Sequence, residues 1–140
     1  MSATYTQETL RLQVTTPLGA DKLQELVSLM TPKTFEAGRF VCRQGEAGDV
    51  MHVIRRGSVK VVRRGEDGAE KHLGTLGVGS YFGELSLITN KFRRASVVTL
   101  EECELLELSK KDLYEFAARY PRFRAALDAY ADARVRKDRR

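Results

Sequence analysis

The sequence contains no tryptophan and only two cysteines among its 140 residues. No apolar run approaches the ~20 residues that a membrane-spanning helix needs, and the N-terminus lacks the basic-then-apolar pattern of a secretory signal. The cysteines, Cys42 and Cys103, stand far apart and lack CxxC spacing, so the pattern indicates buried free thiols in a reducing compartment. From these absences we expect a soluble, cytoplasmic protein.

Patterns typical of catalysis and of metal binding are also lacking. Catalysis needs an activated nucleophile or a paired acid and base, and since no such arrangement stands out, we do not expect an enzyme. His52 and His72 lie on different segments, and neither has another histidine close in sequence. Because metal-dependent jelly-roll enzymes cluster several histidines with a carboxylate, we expect neither a metal site nor a cofactor.

Basic residues exceed acidic residues, which gives a formal net charge of +5. The whole excess lies from Arg119 onward, where eight basic residues stand with three acidic ones. Such a segment is able to bind nucleic acid or an anionic membrane surface, but positive charge also suits a solvated helix end. We favour the helix end and expect no nucleic-acid partner for the last basic residues, which are Arg134, Arg136, Lys137, Arg139 and Arg140.

The length and an apolar fraction of 42% predict one domain with its own core. Residues 1–20 show no sustained period, and we interpret them as an N-terminal arm before a domain over residues 21–140. From Asp21, apolar residues recur at i, i+3, i+4 and i+7, which predicts an amphipathic helix. These residues are Leu23, Leu26, Val27 and Met30. Thr31-Pro32 is expected to end this helix.

Between Phe35 and Leu108 the chain consists of short apolar segments separated by glycines. Short strands at close spacing, with turn residues between them, are typical of an antiparallel sandwich or barrel. The predicted strands are Arg39–Gln44, Val50–Arg56, Ser58–Arg64, Glu70–Leu76, Ala95–Thr99 and Cys103–Leu108. The segment Glu66-Asp67-Gly68 indicates a hairpin turn between two of them.

Two further helices are predicted after the strands. Ser109, with Asp112 three residues later, has the form of a helix N-cap. Pro121 then opens a second helix that continues to about Lys137. With one helix before the strands and two after them, the fold class is α+β and mainly β.

The densest group of motif residues is Phe82-Gly83-Glu84-Leu85-Ser86-Leu87-Ile88, followed by Arg93-Arg94-Ala95-Ser96-Val97. A helical turn that starts at Gly83 has unpaired first N–H groups, which can bind a phosphate. An arginine at the start of the following strand can neutralise the same anion through two parallel hydrogen bonds. Glu84 would repel a phosphate but can accept hydrogen bonds from sugar hydroxyls. The residues therefore suggest a small ligand that carries a phosphate and a sugar.

These segments resemble the phosphate-binding cassette of the cyclic nucleotide-binding domain family, F-G-E-x-[AS]-L followed by R-x-A-[ST]-V. This domain occurs in the regulatory subunit of cyclic-AMP-dependent protein kinase, in the bacterial catabolite activator protein and in cyclic-nucleotide-modulated cation channels. The resemblance extends from about Asp21 to Lys137 and includes the early turn at Gln44-Gly45-Glu46. It implies an antiparallel β jelly-roll barrel with an N-terminal helix and two C-terminal helices, the last acting as a lid.

The resemblance also implies how the phosphate and the sugar are bound. Arg93 would pair with the exocyclic phosphate oxygens, and Glu84 would bind the ribose 2′-hydroxyl with help from the Gly83 backbone. Further donors to the phosphate would be the backbone amides of Leu85, Ser86 and Ala95.

For the base, the resemblance places Val61 and Leu76 against the purine. Arg134 falls where the channels have a base-contacting arginine on the lid helix, and a solvated helix arginine is the alternative. Directly after the cassette arginine, the family usually has alanine or another small residue in binders of cyclic AMP and threonine in binders of cyclic GMP, where its hydroxyl meets the guanine. This chain has Arg94 there, so we expect cyclic AMP rather than cyclic GMP, the alternative for Arg94 being an exposed strand arginine.

The expected function is ligand sensing, in which a bound cyclic nucleotide shifts the C-terminal helices between open and closed positions. No helix-turn-helix, kinase motif or pore helix is present in the sequence, so the chain would be either a regulatory fragment, for instance of a channel-like protein, or a free-standing sensor. An effector domain or channel pore outside this chain is the implied partner. The alternative function is a ligand-free protein-interaction module of the same fold.

Overall fold

Two antiparallel sheets and three helices make up the part of the chain that the structure, a computed structural model, describes: residues 19–83 and 92–138. The helices are α1 (Ala20–Ser28), α2 (Lys110–Arg119) and α3 (Pro121–Asp138). The strands are β1 (Thr31–Phe35), β2 (Phe40–Cys42), β3 (Val50–Arg56), β4 (Val59–Arg64), β5 (Glu70–Leu76), β6 (Tyr81–Phe82), β7 (Ser96–Thr99) and β8 (Cys103–Ser109).

The strand order confirms the mainly β, jelly-roll-like architecture. The first sheet has the order β1-β8-β3-β6, and the second has the order β2-β7-β4-β5. In the described residues the two sheets remain separate, so they form a sandwich rather than one closed barrel. Strands β3 and β5 have the predicted bounds, and the other predicted strands differ by a residue or two at their ends.

The N-terminal part of the fold departs from the prediction. Helix α1 ends at Ser28, so the expectation that Thr31-Pro32 ends the helix is wrong. Thr31 and Pro32 instead begin β1, where they pair with Glu107 and Leu106 of β8. Proline is tolerated there because β1 lies at the edge of its sheet and needs no second ladder of hydrogen bonds. The predicted arm lies outside the described residues except for its last two positions, and Ala20 is already helical.

Strands β3 and β8 in the middle of the first sheet are covered on both faces, so β3 is buried continuously from Met51 to Ile54. One face packs against the second sheet in a cluster of Cys42, Ile54, Val59, Phe82, Val97, Cys103 and Leu105. The other face packs against the helices in a cluster that includes Met51, Val53, Leu106, Leu108, Phe116 and Phe123. Both cysteines are free, buried thiols, as predicted.

The predicted start of the first C-terminal helix is confirmed. The backbone N–H of Asp112 donates to Ser109 Oγ at 3.1 Å, which satisfies one of the N–H groups left unpaired at a helix start. Pro121 opens α3, and the Phe123 and Leu127 side chains of its first two turns are fully buried. None of the helices among the described residues is long and apolar enough to cross a membrane.

A polar contact ties α1 to the junction between α2 and α3. The Glu25 carboxylate accepts hydrogen bonds from Arg119 at 2.8 Å and from the Tyr120 hydroxyl at 2.5 Å. The hydrogen bond from Tyr120, together with the charge of Arg119, lowers the pKa of Glu25. The N-terminal helix therefore contacts the junction between α2 and α3.

His52 is a buried titratable group in the first sheet. Its ring stacks on Phe82 with the ring centroids 5.2 Å apart, and its Nε2 lies 3.0 Å from Glu107 Oε2. Burial lowers the pKa of His52; the hydrogen bond and the charge of Glu107 oppose this shift without reversing it, and the charges of Arg93 and Lys33 add to it. Among the described residues, Nδ1 has no hydrogen-bond partner. The imidazole is therefore neutral in the folded protein at neutral pH.

The free energy of unfolding should fall as the pH decreases through the range in which only the unfolded chain protonates this imidazole. A free histidine has a pKa of 6.5, so the loss begins near that pH and continues down to the lower pKa of the folded state. We expect a slope of up to about 1.4 kcal/mol per pH unit. Urea unfolding at a series of pH values measures it. His52→Gln should remove this slope and the matched variant His72→Gln should retain it, whereas an unchanged slope in His52→Gln would contradict the assignment.

Candidate functional site

The Arg93 side chain lies buried between two strands of the first sheet and the start of β7. The residue is only 8% exposed, and a buried charge is costly unless it is hydrogen-bonded. Nη2 donates to the carbonyl oxygen of Val50 at 2.7 Å, and Nη1 donates to that of Gly83 at 3.2 Å. A guanidinium carries more N–H donors than these two bonds use. Two backbone carbonyls thus fix the direction of a cation that can still bind an anion.

Gly83 must be a glycine for this arrangement to exist. Its φ of +86° lies in the left-handed region, which residues with a Cβ rarely adopt. A Cβ at this position would also clash with Arg93 Nη1 and would lie 3.2 Å from the carbonyl oxygen of Val50. The backbone conformation and the close approach of the guanidinium therefore both require glycine.

The main chain of Arg93 is held by the turn between β2 and β3. Arg93 donates its N–H to the carbonyl of Glu46 at 2.7 Å, and its own carbonyl accepts from the N–H of Gly45 at 2.8 Å. Ala47 and Phe92 extend the same pairing as an isolated bridge. The turn thus takes the place of a neighbouring strand for a residue that lies just before β7.

A cavity of about 150 Å³ lies beside Arg93. It is lined by Cys42, Val61, Phe82, Gly83, Phe92, Arg93, Arg94, Ala95 and Val97. Both charged residues of this lining are arginines, so the cavity suits an anion with an apolar part. Burial raises the pKa of the Cys42 thiol, which therefore adds no negative charge to the lining at neutral pH.

The cavity brings together half of the ligand-binding residues predicted from the sequence. They are Val61, Gly83, Arg93, Arg94 and Ala95. Leu76 is outside the lining, but it is partly buried against the same apolar cluster as Val61, Phe82 and Val97. Glu84, Leu85 and Ser86 lie outside the described residues, and Arg134 lies in α3 with a side chain that is not described. The ligand contacts of all ten residues stay predictions.

Two parts of the site carry no clear signal in the sequence. Cys42 is the buried residue of β2, but nothing in the sequence marks it as a cavity residue. No sequence motif can identify the carbonyl of Val50 as part of the site, because every residue has a backbone carbonyl. A larger hollow of about 570 Å³ lies elsewhere, around Phe40, Gln44 and Arg64, and contains none of the predicted ligand-binding residues.

Residues 32–120 match the family described as cyclic nucleotide-binding domain. Among curated proteins, the chain is 37% identical over 124 residues to the cyclic nucleotide-gated channel alpha-4 of Mus musculus, with 84% of this chain and 21% of the channel covered. It is 34% identical over 125 residues to the cyclic nucleotide-gated channel alpha-3 of Homo sapiens, with 85% of this chain and 18% of that channel covered. The chain thus spans about a fifth of the length of these relatives.

Solved structures give a matching picture. The catabolite activator protein of Thermus thermophilus superposes with a TM-score of 0.76 at 29% identity, over 89% of this chain and 59% of that one. The regulatory domain of Toxoplasma gondii PKA, crystallised with cAMP, superposes with a TM-score of 0.73 at 25% identity, over 94% of this chain and 47% of that one.

Gly83→Ala should destabilise the protein more than alanine does at a glycine that shares only its backbone conformation. Gly38 has a similar φ of +78°, but a Cβ there would have no neighbour within 4 Å. We expect Gly38→Ala to cost about 1 kcal/mol from backbone strain alone and Gly83→Ala about 2–4 kcal/mol, because the guanidinium must also move. Urea unfolding measures both losses, and equal losses would contradict the close packing of Arg93 on Gly83.

Proposed function

Because the chain belongs to the cyclic nucleotide-binding domain family, we propose that it binds a cyclic nucleotide monophosphate in the cavity beside Arg93 and acts as a regulatory sensor. The observation that carries this proposal is the buried guanidinium of Arg93, whose direction is fixed by the carbonyls of Val50 and Gly83. A cyclic phosphate carries one negative charge, and an arginine binds two phosphate oxygens with parallel hydrogen bonds. A cation positioned before the ligand arrives loses little conformational entropy on binding.

We assign the remaining contacts to the residues that the family cassette indicates. In this proposal, Glu84 and the Gly83 backbone bind the ribose 2′-hydroxyl. The backbone amides of Leu85, Ser86 and Ala95 donate further hydrogen bonds to the phosphate. The purine packs on Val61, which lines the cavity, and on Leu76, which packs on the same apolar cluster. These contacts would place the phosphate at Arg93 and the purine on the side of Val61.

For the base, we propose a preference for cyclic AMP. The position after Arg93 carries Arg94 rather than a threonine whose hydroxyl would meet guanine, and Arg94 lines the cavity. Binding of cAMP by the Toxoplasma gondii regulatory domain, a structural neighbour, is in keeping with this preference.

The output of the sensor, in this proposal, is a movement of α3. Helix α3 follows α2 after the single residue Tyr120, and it packs on the core through Phe123 and Leu127 in its first two turns. Closing α3 over the ligand would bring Arg134 to the base and the basic end of the helix towards an anion. Glu25 of α1 contacts Arg119 and Tyr120 at the junction between α2 and α3. A movement of α3 would therefore also change the contacts of the N-terminal helix.

We propose that the effector is a channel pore or another effector domain outside this chain. The relatives of the chain are channels of which it spans about a fifth. The ligand can shift the equilibrium between the two positions of α3 only by as much as it binds one position more tightly than the other. The effect on the effector cannot exceed this difference.

Arg93→Ala should weaken the binding of cyclic AMP by about 2–4 kcal/mol, or roughly 30- to 1000-fold, because a buried, hydrogen-bonded charge pair loses one member. Arg93→Lys keeps the positive charge but cannot form two parallel hydrogen bonds. Its affinity for cyclic AMP should therefore lie between that of the parent and that of Arg93→Ala. Isothermal titration calorimetry measures the affinity, and circular dichroism checks the fold. The matched control is Arg39→Ala, an exposed arginine paired with Glu36, which should bind as the parent does.

Two outcomes would count against this proposal. Equal affinity of Arg93→Ala and the parent would show that the phosphate is not bound at Arg93. No saturable binding of cyclic AMP or cyclic GMP by the parent would overturn the sensor in favour of a ligand-free interaction module.

The choice of base should follow residue 94. The parent is expected to bind cyclic AMP more tightly than cyclic GMP, and Arg94→Thr should shift the ratio of the two affinities towards cyclic GMP by about fivefold, the effect of one added hydrogen bond. Side-by-side titrations with the two nucleotides measure the ratio. A ratio that does not change in Arg94→Thr would remove residue 94 from base recognition.

A further inference from the structure

The side chain of Gln44 is bonded to the backbone of another strand. Its Nε2 donates to the carbonyl of Arg64 at 2.9 Å, and its Oε1 accepts from the N–H of the same residue at 2.7 Å. The amide side chain thus pairs with the last residue of β4 as a neighbouring strand would. The backbone N–H of Gln44 donates to Ser96 Oγ at 2.9 Å, which adds a link to the first residue of β7.

The two residues after Gln44 hold the main chain of Arg93. Gly45 donates its N–H to the carbonyl of Arg93, and Glu46 accepts the N–H of Arg93. The turn is closed on itself by a hydrogen bond from the N–H of Arg43 to Glu46 Oε1 at 2.9 Å. Gln44 therefore lies between the end of β4 and the segment that holds both polar backbone groups of Arg93.

This placement matters because Arg93 itself lies outside the regular strands. Strand β7 begins three positions later, at Ser96, so the backbone of Arg93 takes its position from the turn rather than from the ladder of a sheet. A binding group must be held to within about 0.5 Å of its productive position by the residues around it. A shift of the turn would move the guanidinium away from the carbonyls of Val50 and Gly83 and from the cavity.

We propose that Gln44 is a positioning residue for ligand binding: it anchors the turn 43–46 to the end of β4 and thereby holds Arg93 in place to receive the phosphate. This role rests on the proposed function, since Arg93 is the group through which Gln44 acts. The link also makes the β4–β5 hairpin part of the support of the phosphate site, although the hairpin lies outside the cavity lining except for Val61.

The test is a double-mutant cycle on cyclic AMP affinity. Gln44→Met has a similar length but forms neither hydrogen bond with Arg64, and we expect it to bind cyclic AMP about fivefold more weakly than the parent. In the Arg93→Ala background, the same substitution should cause much less than this loss, because the guanidinium that it positions is gone. The matched control Gln24→Met, at an exposed glutamine of α1, should bind as the parent does.

The outcomes separate this role from a structural one. A fivefold loss in both backgrounds would mean that Gln44 supports the fold in general, and parent-like affinity of Gln44→Met would mean that the turn needs no anchor; either result overturns the proposal. Gln44→Glu keeps the acceptor for the Arg64 N–H and loses the donor, so its affinity should lie between those of the parent and Gln44→Met, and any other order contradicts the two-bond anchor. Failure of the parent to bind either cyclic nucleotide would instead overturn the proposed function itself.

Discussion

The hydrogen bonds from the Arg93 guanidinium to the carbonyls of Val50 and Gly83 are the interaction on which the site depends. They join three segments that are distant in sequence: the start of β3, the residue after β6 and the segment that leads into β7. A buried guanidinium without such acceptors would be strongly unfavourable. The bonds therefore stabilise the local fold and, at the same time, hold in the cavity a cation that has not been neutralised by a carboxylate among the cavity residues described.

The rest of the architecture keeps these segments in place. Strand β3 is paired with β8 and β6 and is covered on both faces, so the carbonyl of Val50 belongs to a rigid element. The stacking of the buried His52 on Phe82 fixes the residue immediately before Gly83. From the other side, the turn that carries Gln44, Gly45 and Glu46 fixes the backbone of Arg93. The rigid surroundings of Arg93 contrast with α3, the element to which our proposal assigns the movement.

Much of this fold can be predicted because its local signals agree with its packing. The apolar residues of β3, the Ser109 cap and Pro121 each indicate the element that forms there. The edge strand β1 could not be found, because Thr31 and Pro32 resemble a helix end and four of its five residues are exposed. The cassette residues Gly83 and Arg93 were predictable from a motif, whereas the carbonyl of Val50 and the amide of Gln44 act through the main chain. Main-chain contacts depend on which segments meet in space, and a single sequence does not report this.

If the Arg93 guanidinium binds the phosphate of a cyclic nucleotide, its own NMR signal must respond to the ligand. The most direct measurement is a titration with cyclic AMP followed through the arginine Nε–Hε signals in a proton–nitrogen NMR correlation spectrum, with the Arg93 signal identified by its loss in Arg93→Lys. This signal should shift saturably, with the same dissociation constant that calorimetry gives for the whole protein. An Arg93 signal that stays in place while cyclic AMP binds would contradict phosphate binding by Arg93.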